Sequence, residues 1–531
     1  MKGIDFSLNV YYYIILFCIV CFYELNLSMK KFVSFLTILC CTISITAQVT
    51  FLKTIGGGIQ DISCYIEQTT DGGYFIAGTD YNSLGQSGYV VKTNAIGDTL
   101  WTKIYGTNVT LYSGKQTTDG GYILLGTIGN SSSSNIYVLK IDSIGTIQWQ
   151  KMIGGSSTEE GTSIQQTTDG GYIISGYGKS YGAGNDDVYI VKLDSGGNIQ
   201  WDNVLGQTGL DHAYSVKETA DGNYIVLGQS DASTLILKLN SAGTLQWSKI
   251  YSEAGLSYKG KNILQTADGG YMILGSRGGI SSAFPDVSVI KTDSLGNINW
   301  SNVYVGSTAD NDLSFKATTT GNFIIASSIH TYSLLFSLID SLGNVIWSHS
   351  IPGSVNHGSF ASETSDGGYV YTGYVQTASV GGGIYFIKAD SLGNNGCIDS
   401  TATITVNNIS PITGTPTILS TSGIIISTPP TFISSIGRTI TTTCMSMGIN
   451  ELQIDDQVTV YPNPSSDQFN FNGIEKGSKI EIYNLTGQLV YQTIVHNDFK
   501  TINISDKTKG IYFYRITKGM KLVQQGKIIL I

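Results

Sequence analysis

Thr168-Asp169-Gly170-Gly171-Tyr172-Ile173-Ile174-Ser175-Gly176 joins a tight turn to an apolar run, and it decides the fold because it recurs. Its Asp stands again at Asp71, Asp119, Asp221, Asp268 and Asp366, with Thr320 in a degenerate seventh copy; successive copies lie 46 to 52 residues apart. A second unit follows each first one, as in Val191-Lys192-Leu193-Asp194-Ser195-Gly196-Gly197-Asn198-Ile199-Gln200-Trp201. Its last column holds Trp101, Trp149, Trp201, Trp247, Trp300 and Trp347, which are all six Trp of the chain. An aromatic that recurs once per repeat packs the repeat. Alternating β-branched and aromatic residues predict four strands per unit: a over 162–167, b over 172–177, c over 187–194 and d from 198 to about 205. Gly supplies the positive φ of the tight turns, and the Asp side chain can bond the backbone two residues on.

Seven four-stranded units of about 50 residues predict an all-β chain whose main domain is a seven-bladed β-propeller over 48–396. The seventh copy stops after Asp390-Ser391-Leu392-Gly393, with neither Trp nor strand d. The missing strand stands at the other end of the domain. Phe51-Leu52-Lys53-Thr54-Ile55-Gly56-Gly57 matches Trp149-Gln150-Lys151-Met152-Ile153-Gly154-Gly155, with Phe51 in the Trp place. An N-terminal strand that completes the last blade closes the ring and removes exposed edges. The repeat resembles the propellers with a tryptophan docking motif, among them quinoprotein dehydrogenases and outer-membrane assembly lipoproteins. The resemblance implies the blade fold and not the quinone chemistry, since nothing marks a quinone pocket and the interval from Asp142 to Trp149 is one residue short of that pattern. The Ser-x-Gly…Trp segment is also similar to the sialidase Asp-box. It departs from it at Ser143, and the propeller region offers only Arg277 where a sialidase needs an Arg cluster.

Residues 1–47 read as a leader. Met29-Lys30-Lys31, the apolar run from Phe32 and the ending Ile45-Thr46-Ala47 have the pattern of a signal peptide over 29–47. The earlier run, Val10 to Tyr23, is short for a membrane span, so no stable span is expected in the mature chain. Leu39 before Cys40 departs from a lipobox. Cys64, Cys397 and Cys444 remain in the mature chain. Cys397 and Cys444 flank a Thr/Ser/Ile-rich segment, 397–456, which reads as a linker or small β insertion, and they form the expected disulfide. Closing that loop stabilises by about 4 kcal/mol in the chain-entropy picture. Cys64 lies in a predicted strand and reads as a buried thiol.

From 457 the pattern changes again. Tyr461-Pro462-Asn463-Pro464, Asn484-Leu485-Thr486-Gly487-Gln488, Gly510-Ile511-Tyr512 and the terminal Lys527-Ile528-Ile529-Leu530-Ile531 are spaced as in a small Ig-like β-sandwich. In order and up to the last residue, these motifs resemble the type A C-terminal sorting domain of the type IX secretion system of Bacteroidota. The resemblance implies Tyr461, Pro462, Asn463, Pro464, Gly487, Gly510, Tyr512 and Lys527 as the sorting motif. It implies the type IX machinery as a partner, and passage through the periplasm to the cell surface or the exterior.

A net charge of −9 without a cluster of Lys and Arg argues against nucleic acid as a partner. Three Arg and five His in the whole chain leave little from which to build a catalytic constellation, and none is expected. The variable b–c and d–a loops gather on one end of the ring, and loops on a rigid scaffold are where binding residues collect. The candidates there are Tyr81, Tyr112, Tyr181, Asp186, His212, Tyr258, Arg277, Asp312, His330 and His357, with Asn108, Glu159, Glu160, Asp211 and Asp310 beside them. Asp310-Asn311-Asp312 and Asn185-Asp186-Asp187 offer oxygen atoms of the kind Ca²⁺ takes, without EF-hand spacing; no other cofactor is expected. The Asp-Ser-Ile and Asp-Ser-Leu turns at 142, 293, 340 and 390 also resemble a Bacteroides O-glycosylation sequon, though turn chemistry already accounts for them. Two classes of function fit: a binding or adhesion module for a glycan or protein, and a polysaccharide hydrolase or lyase on a propeller scaffold.

Overall fold

The computed structural model describes residues 48–531, except for 57–59, 83–84, 131, 183–184, 280–284, 306–312, 330–332, 353–359, 378–380, 398–399, scattered positions between 403 and 438, 449–457, 485–487 and 519–520. The leader and its expected signal peptide lie outside the described residues. Every regular element among the described residues is a strand.

Blade 3 shows the unit: strands Glu159–Gln166, Tyr172–Gly178, Asp187–Leu193 and Ile199–Gly206, each antiparallel to the next. At its first turn Asp169 Oδ1 accepts the Gly171 N–H at 2.9 Å, and Gly170 takes φ +81°. At its second turn Asp194 Oδ1 accepts the N–H groups of Gly196 and Asn198, and Gly197 takes φ +78°. Strand c contributes Lys192, whose side chain is 2% exposed and whose Nζ lies 2.8 Å from Asp169 Oδ2. The same pair links Lys92 to Asp71, Lys140 to Asp119, Lys238 to Asp221, Lys291 to Asp268 and Lys388 to Asp366.

The hydrophobic cores lie between neighbouring blades. One joins Ile123, Leu125 and Val138 of blade 2 to Tyr172, Ile174 and Val191 of blade 3. The Trp column belongs to these interfaces. The Trp149 ring sits 5.7 Å from the Tyr172 ring of the next blade, and a Cβ on Gly197 of that blade would come within 2.9 Å of it. Glycine is therefore needed at 197 both for φ and for space.

The ring closes as expected. Strand Gln48–Gly56 pairs with Gly381–Ala389, and Phe51 stands opposite Lys388 as Trp201 stands opposite Lys192. Phe51 is fully buried, 4.9 Å from the Phe386 ring, and a Cβ on Gly97 of blade 1 would meet it at 2.7 Å. A second seam runs around the short-turn end. In it the residue before the turn Asp donates its N–H to the strand-a Gln or Glu of the following blade: Thr70 to Gln116, Thr118 to Gln166, Thr168 to Glu218, Ala220 to Gln265 and Thr319 to Glu363. Ser365 N–H to Gln68 Oε1, 2.7 Å, carries the seam from blade 7 to blade 1. Ala317 occupies the acceptor position in blade 6 and leaves one rung unmade.

The segment 397–456 differs from the linker or insertion that its composition suggests. Its short strands each lie along the outer edge of a blade. Ser400–Thr401 pairs with strand d of blade 6, Thr405–Asn408 with blade 5, Ile412–Gly414 with blade 4 and Leu419–Thr421 with blade 3. Ile425–Ser427 then joins blade 2, Ile433–Ser434 blade 1 and Thr439–Gly448 the closing strand of blade 7. The segment is a belt that runs once around the ring against the order of the blades. It forms because each strand d would otherwise present unpaired N–H and C=O groups. Cys397, at the start of the belt, is disulfide-bonded. The side chain of its expected partner Cys444, in the last belt strand, lies outside the described residues.

The C-terminal module packs a sheet of Thr459–Tyr461, Gln468–Asn472 and Phe499–Asn503 against a sheet of Leu489–Ile494, Lys479–Tyr483, Gly510–Lys518 and Lys521–Leu530. Phe469, Phe471 and Ile502 from the first meet Ile480, Ile482, Tyr514 and Ile528 from the second.

Candidate functional site

Strand a of every blade faces the axis of the ring, so its outward residues line a central channel. Among the described residues, the pairing of strands a and b slips by one residue in five blades, at 63/65, 111/113, 161/163, 213/215 and 260/262. The extra residues are Cys64, Tyr112, Thr162, Tyr214 and Lys261. A bulge re-aims a side chain, and all five line one cavity of about 790 Å³ in the channel. That volume is of the size small-ligand sites have.

At the variable-loop end, the His212 ring stacks on Tyr177 at 3.7 Å. Its Nε2 lies 2.9 Å from Asp186 Oδ2 and its Nδ1 3.2 Å from the Tyr214 hydroxyl. Lys261 sits 4.0 Å above the Tyr214 ring. Burial raises the Glu160 carboxyl above its usual range, against the Tyr177 hydrogen bond that favours its charged form. Burial, and then the charges of Glu160 and Asp186, push the Tyr214 hydroxyl up to about 12.

At the short-turn end, four residues before each turn Asp, the strands present Glu67, Lys115, Gln165, Lys217, Leu264, Lys316 and Ser362. Glu67 is engaged by the Tyr65 hydroxyl at 2.8 Å and by the Gln116 N–H. Lys316 lies 4.4 Å over the Tyr65 ring and donates to the Tyr65 hydroxyl at 3.2 Å.

Of the residues singled out in the sequence, Tyr112, His212 and Glu160 line the channel, and Asp186 reaches it through His212. Tyr258 is buried at 1% exposure, and Arg277 is held by Glu253 through two bonds of 3.0 and 2.7 Å. Tyr181 packs, half-buried, against the core between blades 2 and 3, and half-buried Tyr81 pairs with Gln60 at the start of blade 1. Glu159 and Asp211 cap their own loops, accepting the N–H of Gly155 and Gln207 respectively. Asp310, Asp312, His330 and His357 lie outside the described residues. No group of three His, Cys, Asp or Glu side chains suited to a metal occurs among the described residues. The sequence reading passed over Tyr65, Tyr177, Tyr214 and the channel lysines. For the lysines the available signal is a Lys four residues before the turn Asp or Thr in three of the seven copies; Tyr65, Tyr177 and Tyr214 share no such column.

In the C-terminal module, Asn463 of the Tyr-Pro-Asn-Pro run accepts the Ile529 N–H and donates to the Lys527 carbonyl, both at 2.9 Å, so the run staples the terminal strand. Tyr512 is buried and donates its hydroxyl to the Thr508 carbonyl. Gly487 lies outside the described residues. Residues 459–531 match the family model described as the secretion system C-terminal sorting domain. The tail is a type IX sorting domain. The sorting domain implies export to the cell surface or the extracellular space. No helix among the described residues is long and apolar enough to cross a membrane.

No curated protein matches the chain. Among solved structures the chain is similar to PorZ, a surface component of the type IX secretion system of Porphyromonas gingivalis, at 11% identity and a TM-score of 0.35. That alignment covers 87% of this chain and 64% of PorZ, less than two thirds of its length. A protein of unknown function from Dyadobacter fermentans aligns at 9% identity and a TM-score of 0.40, over 65% of this chain and 99% of the other. Sqt1 of Chaetomium thermophilum aligns at 11% and 0.39, over 64% and 98%. Likeness at this level says nothing about a ligand.

Proposed function

We propose that the exported chain is a binding module that holds a glycan in the propeller channel without turning it over. The observation that supports this is the cavity of about 790 Å³ and its lining, which includes Tyr65, Tyr112, Tyr177 and Tyr214 together with hydrogen-bonding side chains. A sugar has apolar C–H faces that pack on aromatic rings and hydroxyl edges that bond polar groups, so such a lining suits it. Binding needs no cofactor on this reading, and Asp186, one of the oxygen donors considered for Ca²⁺, is already engaged by His212 and, at 3.8 Å, by Lys179.

The rival reading, a polysaccharide hydrolase or lyase, draws on the Asp186–His212–Tyr214 line. Both ring nitrogens of His212 are occupied by those two partners, which leaves neither for a substrate. A glycan and matrix-protein array probed with the full mature chain tests the reading. Retention on glycan spots, lost in Tyr112→Ala and Tyr214→Ala, is the expected result. Retention on protein spots alone, or product formation abolished by a channel substitution, would overturn it. The export route has its own test: removing residues 457–531 should hold a folded propeller in the periplasm of a host with the type IX machinery.

A further inference from the structure

The strand-c lysines and the strand-a lysines differ in one respect. Each buried strand-c lysine of the ring has an Asp of its own. Lys115, Lys217 and Lys316 occupy one level of the channel in blades 2, 4 and 6, alternating with Gln165, Leu264 and Ser362 of other blades. Among the described residues, neither Lys115 nor Lys217 makes an ion pair or a hydrogen bond, and Lys316 donates only to the Tyr65 hydroxyl and the Ile66 carbonyl. The one acid at that level, Glu67, is bonded by Tyr65 and Gln116.

The cavity lining as a whole holds four lysines against two glutamates, in a chain whose net charge is −9. One of those glutamates, Glu160, is pushed toward its neutral form by burial. Lys217 and Lys316 are half-buried in the channel wall. Burial, and then the charges of Lys115 and Lys316, press Lys217 down to about 8; burial outweighs the charge of Glu67 to press Lys316 down to about 8 as well, with Lys115 adding to it. Three like charges facing one another around a narrow channel are unfavourable unless something of opposite charge sits between them.

We propose that the short-turn end of the channel is an oxyanion site, in which Lys115, Lys217 and Lys316 together hold a sulfate or carboxylate group carried by an acidic glycan. The inference rests on the channel as the glycan site and adds the class of glycan. The ammonium groups donate to the oxyanion, and the tyrosines beyond them pack against the sugar that bears it. A charge-assisted hydrogen bond of this kind is stronger than a neutral one and needs no aromatic partner, so the anion alone should bind.

The test titrates inorganic sulfate into the full mature chain by calorimetry at low ionic strength. It is repeated with Lys115→Gln, Lys217→Gln, Lys316→Gln and the triple variant. Wild type should bind one sulfate; each single variant should weaken it at least about tenfold, and the triple variant should lose it. The single variants decide the matter should the triple variant fold poorly. Absence of sulfate binding in wild type, or binding unchanged by all three single substitutions, would overturn the site. A parallel titration compares an oligogalacturonate with a neutral oligoglucoside of equal length. Preference for the acidic chain, lost with the lysines, supports the site; binding of both chains with no effect of the lysines would overturn it and leave the glycan reading standing. Sulfate bound through the lysines with neither oligosaccharide bound supports the anion site and removes the glycan.

Discussion

Blade 6 and blade 3 share the backbone of the first turn and differ in its chemistry. In blade 3 the turn is fastened by Asp169, which accepts from Thr167, Gly171 and the buried Lys192. Blade 6 has Thr320 in place of the Asp and Leu338 in place of the Lys, the latter 5% exposed. The turn survives: Thr318 N–H reaches the Asn322 carbonyl at 2.8 Å, as Thr167 N–H reaches that of Gly171 at 2.9 Å, and Gly321 keeps φ +80° beside +81° at Gly170. The left-handed glycine is thus the part of the turn that both blades need. The ion pair is a matched unit, present or absent as a whole, because a buried ammonium without its carboxylate costs far more than an apolar side chain in the same place. Blade 4 shows a smaller variation. Its Asn223 stands where blades 1, 2, 3, 5 and 7 have Gly, and Lys238 donates to Thr219 Oγ1 at 2.6 Å, whereas Lys192 donates to the adjacent Leu193 carbonyl. A Cβ on Gly171 would come within 2.5 Å of Lys192 Nζ, which is why the two arrangements do not mix.

The largest effect should come from the blade that borrows its last strand. Removing residues 48–57 takes out Phe51, Leu52 and Ile55, all buried. Loss of a core Phe alone costs about 3–5 kcal/mol, so the shortened chain should lose more than about 5 kcal/mol in urea unfolding. An unchanged midpoint would mean that ring closure contributes nothing.

Next comes the ion pair itself. Asp169→Thr should cost about 3 kcal/mol by stranding Lys192, while Asp169→Thr with Lys192→Leu, which copies blade 6, should return to within about 1 kcal/mol of wild type. Equal losses in the single and double variants would break the matched-unit reading.

Acid should expose the same pair. In Asp119, Asp169 and Asp268 hydrogen bonds from the paired lysine, the turn Thr and a Gly N–H hold the carboxyl at about 2; in Asp119 and Asp169 they do so against partial burial, which acts the other way, and in Asp268 the Lys291 bond is the main cause. An unfolded Asp titrates near 3.9. The folded value is depressed, so the stabilisation is present above about pH 4 and is lost as pH falls from about 4 to 2. Over that window the double variant should lose less stability than wild type, measured as urea midpoints at the two ends. Parallel decline of the two proteins would remove Asp169 from the acid response.

The smallest effect is a gain. Ala317→Gln should restore the missing acceptor of the short-turn seam and add about 1 kcal/mol, the usual net value of one hydrogen bond. A neutral result would show that blade 6 is too differently placed to make the rung.

By itself the sequence determined whatever repeats locally: seven turns with their left-handed glycines, the Trp column, the offset strand around Phe51, and the sorting motif from Tyr461 to Lys527. Each of these is written in short-range patterns that recur or match a known order, and local sterics alone give them meaning. The tertiary structure alone decided the belt and the channel. Belt strands such as Ser400–Thr401 and Ile433–Ser434 are two residues long, too short to show an alternation of their own; they exist because closed blades offer unpaired outer edges, which no local window of sequence displays. Lys115 and Lys217 sit in strands whose facing depends on the one-residue bulges at Tyr112 and Tyr214, and a one-residue slip turns every later side chain of a strand to its other face. Only when seven such strands surround one axis do Lys115, Lys217 and Lys316, 99 or more residues apart along the chain, come to share one charge environment.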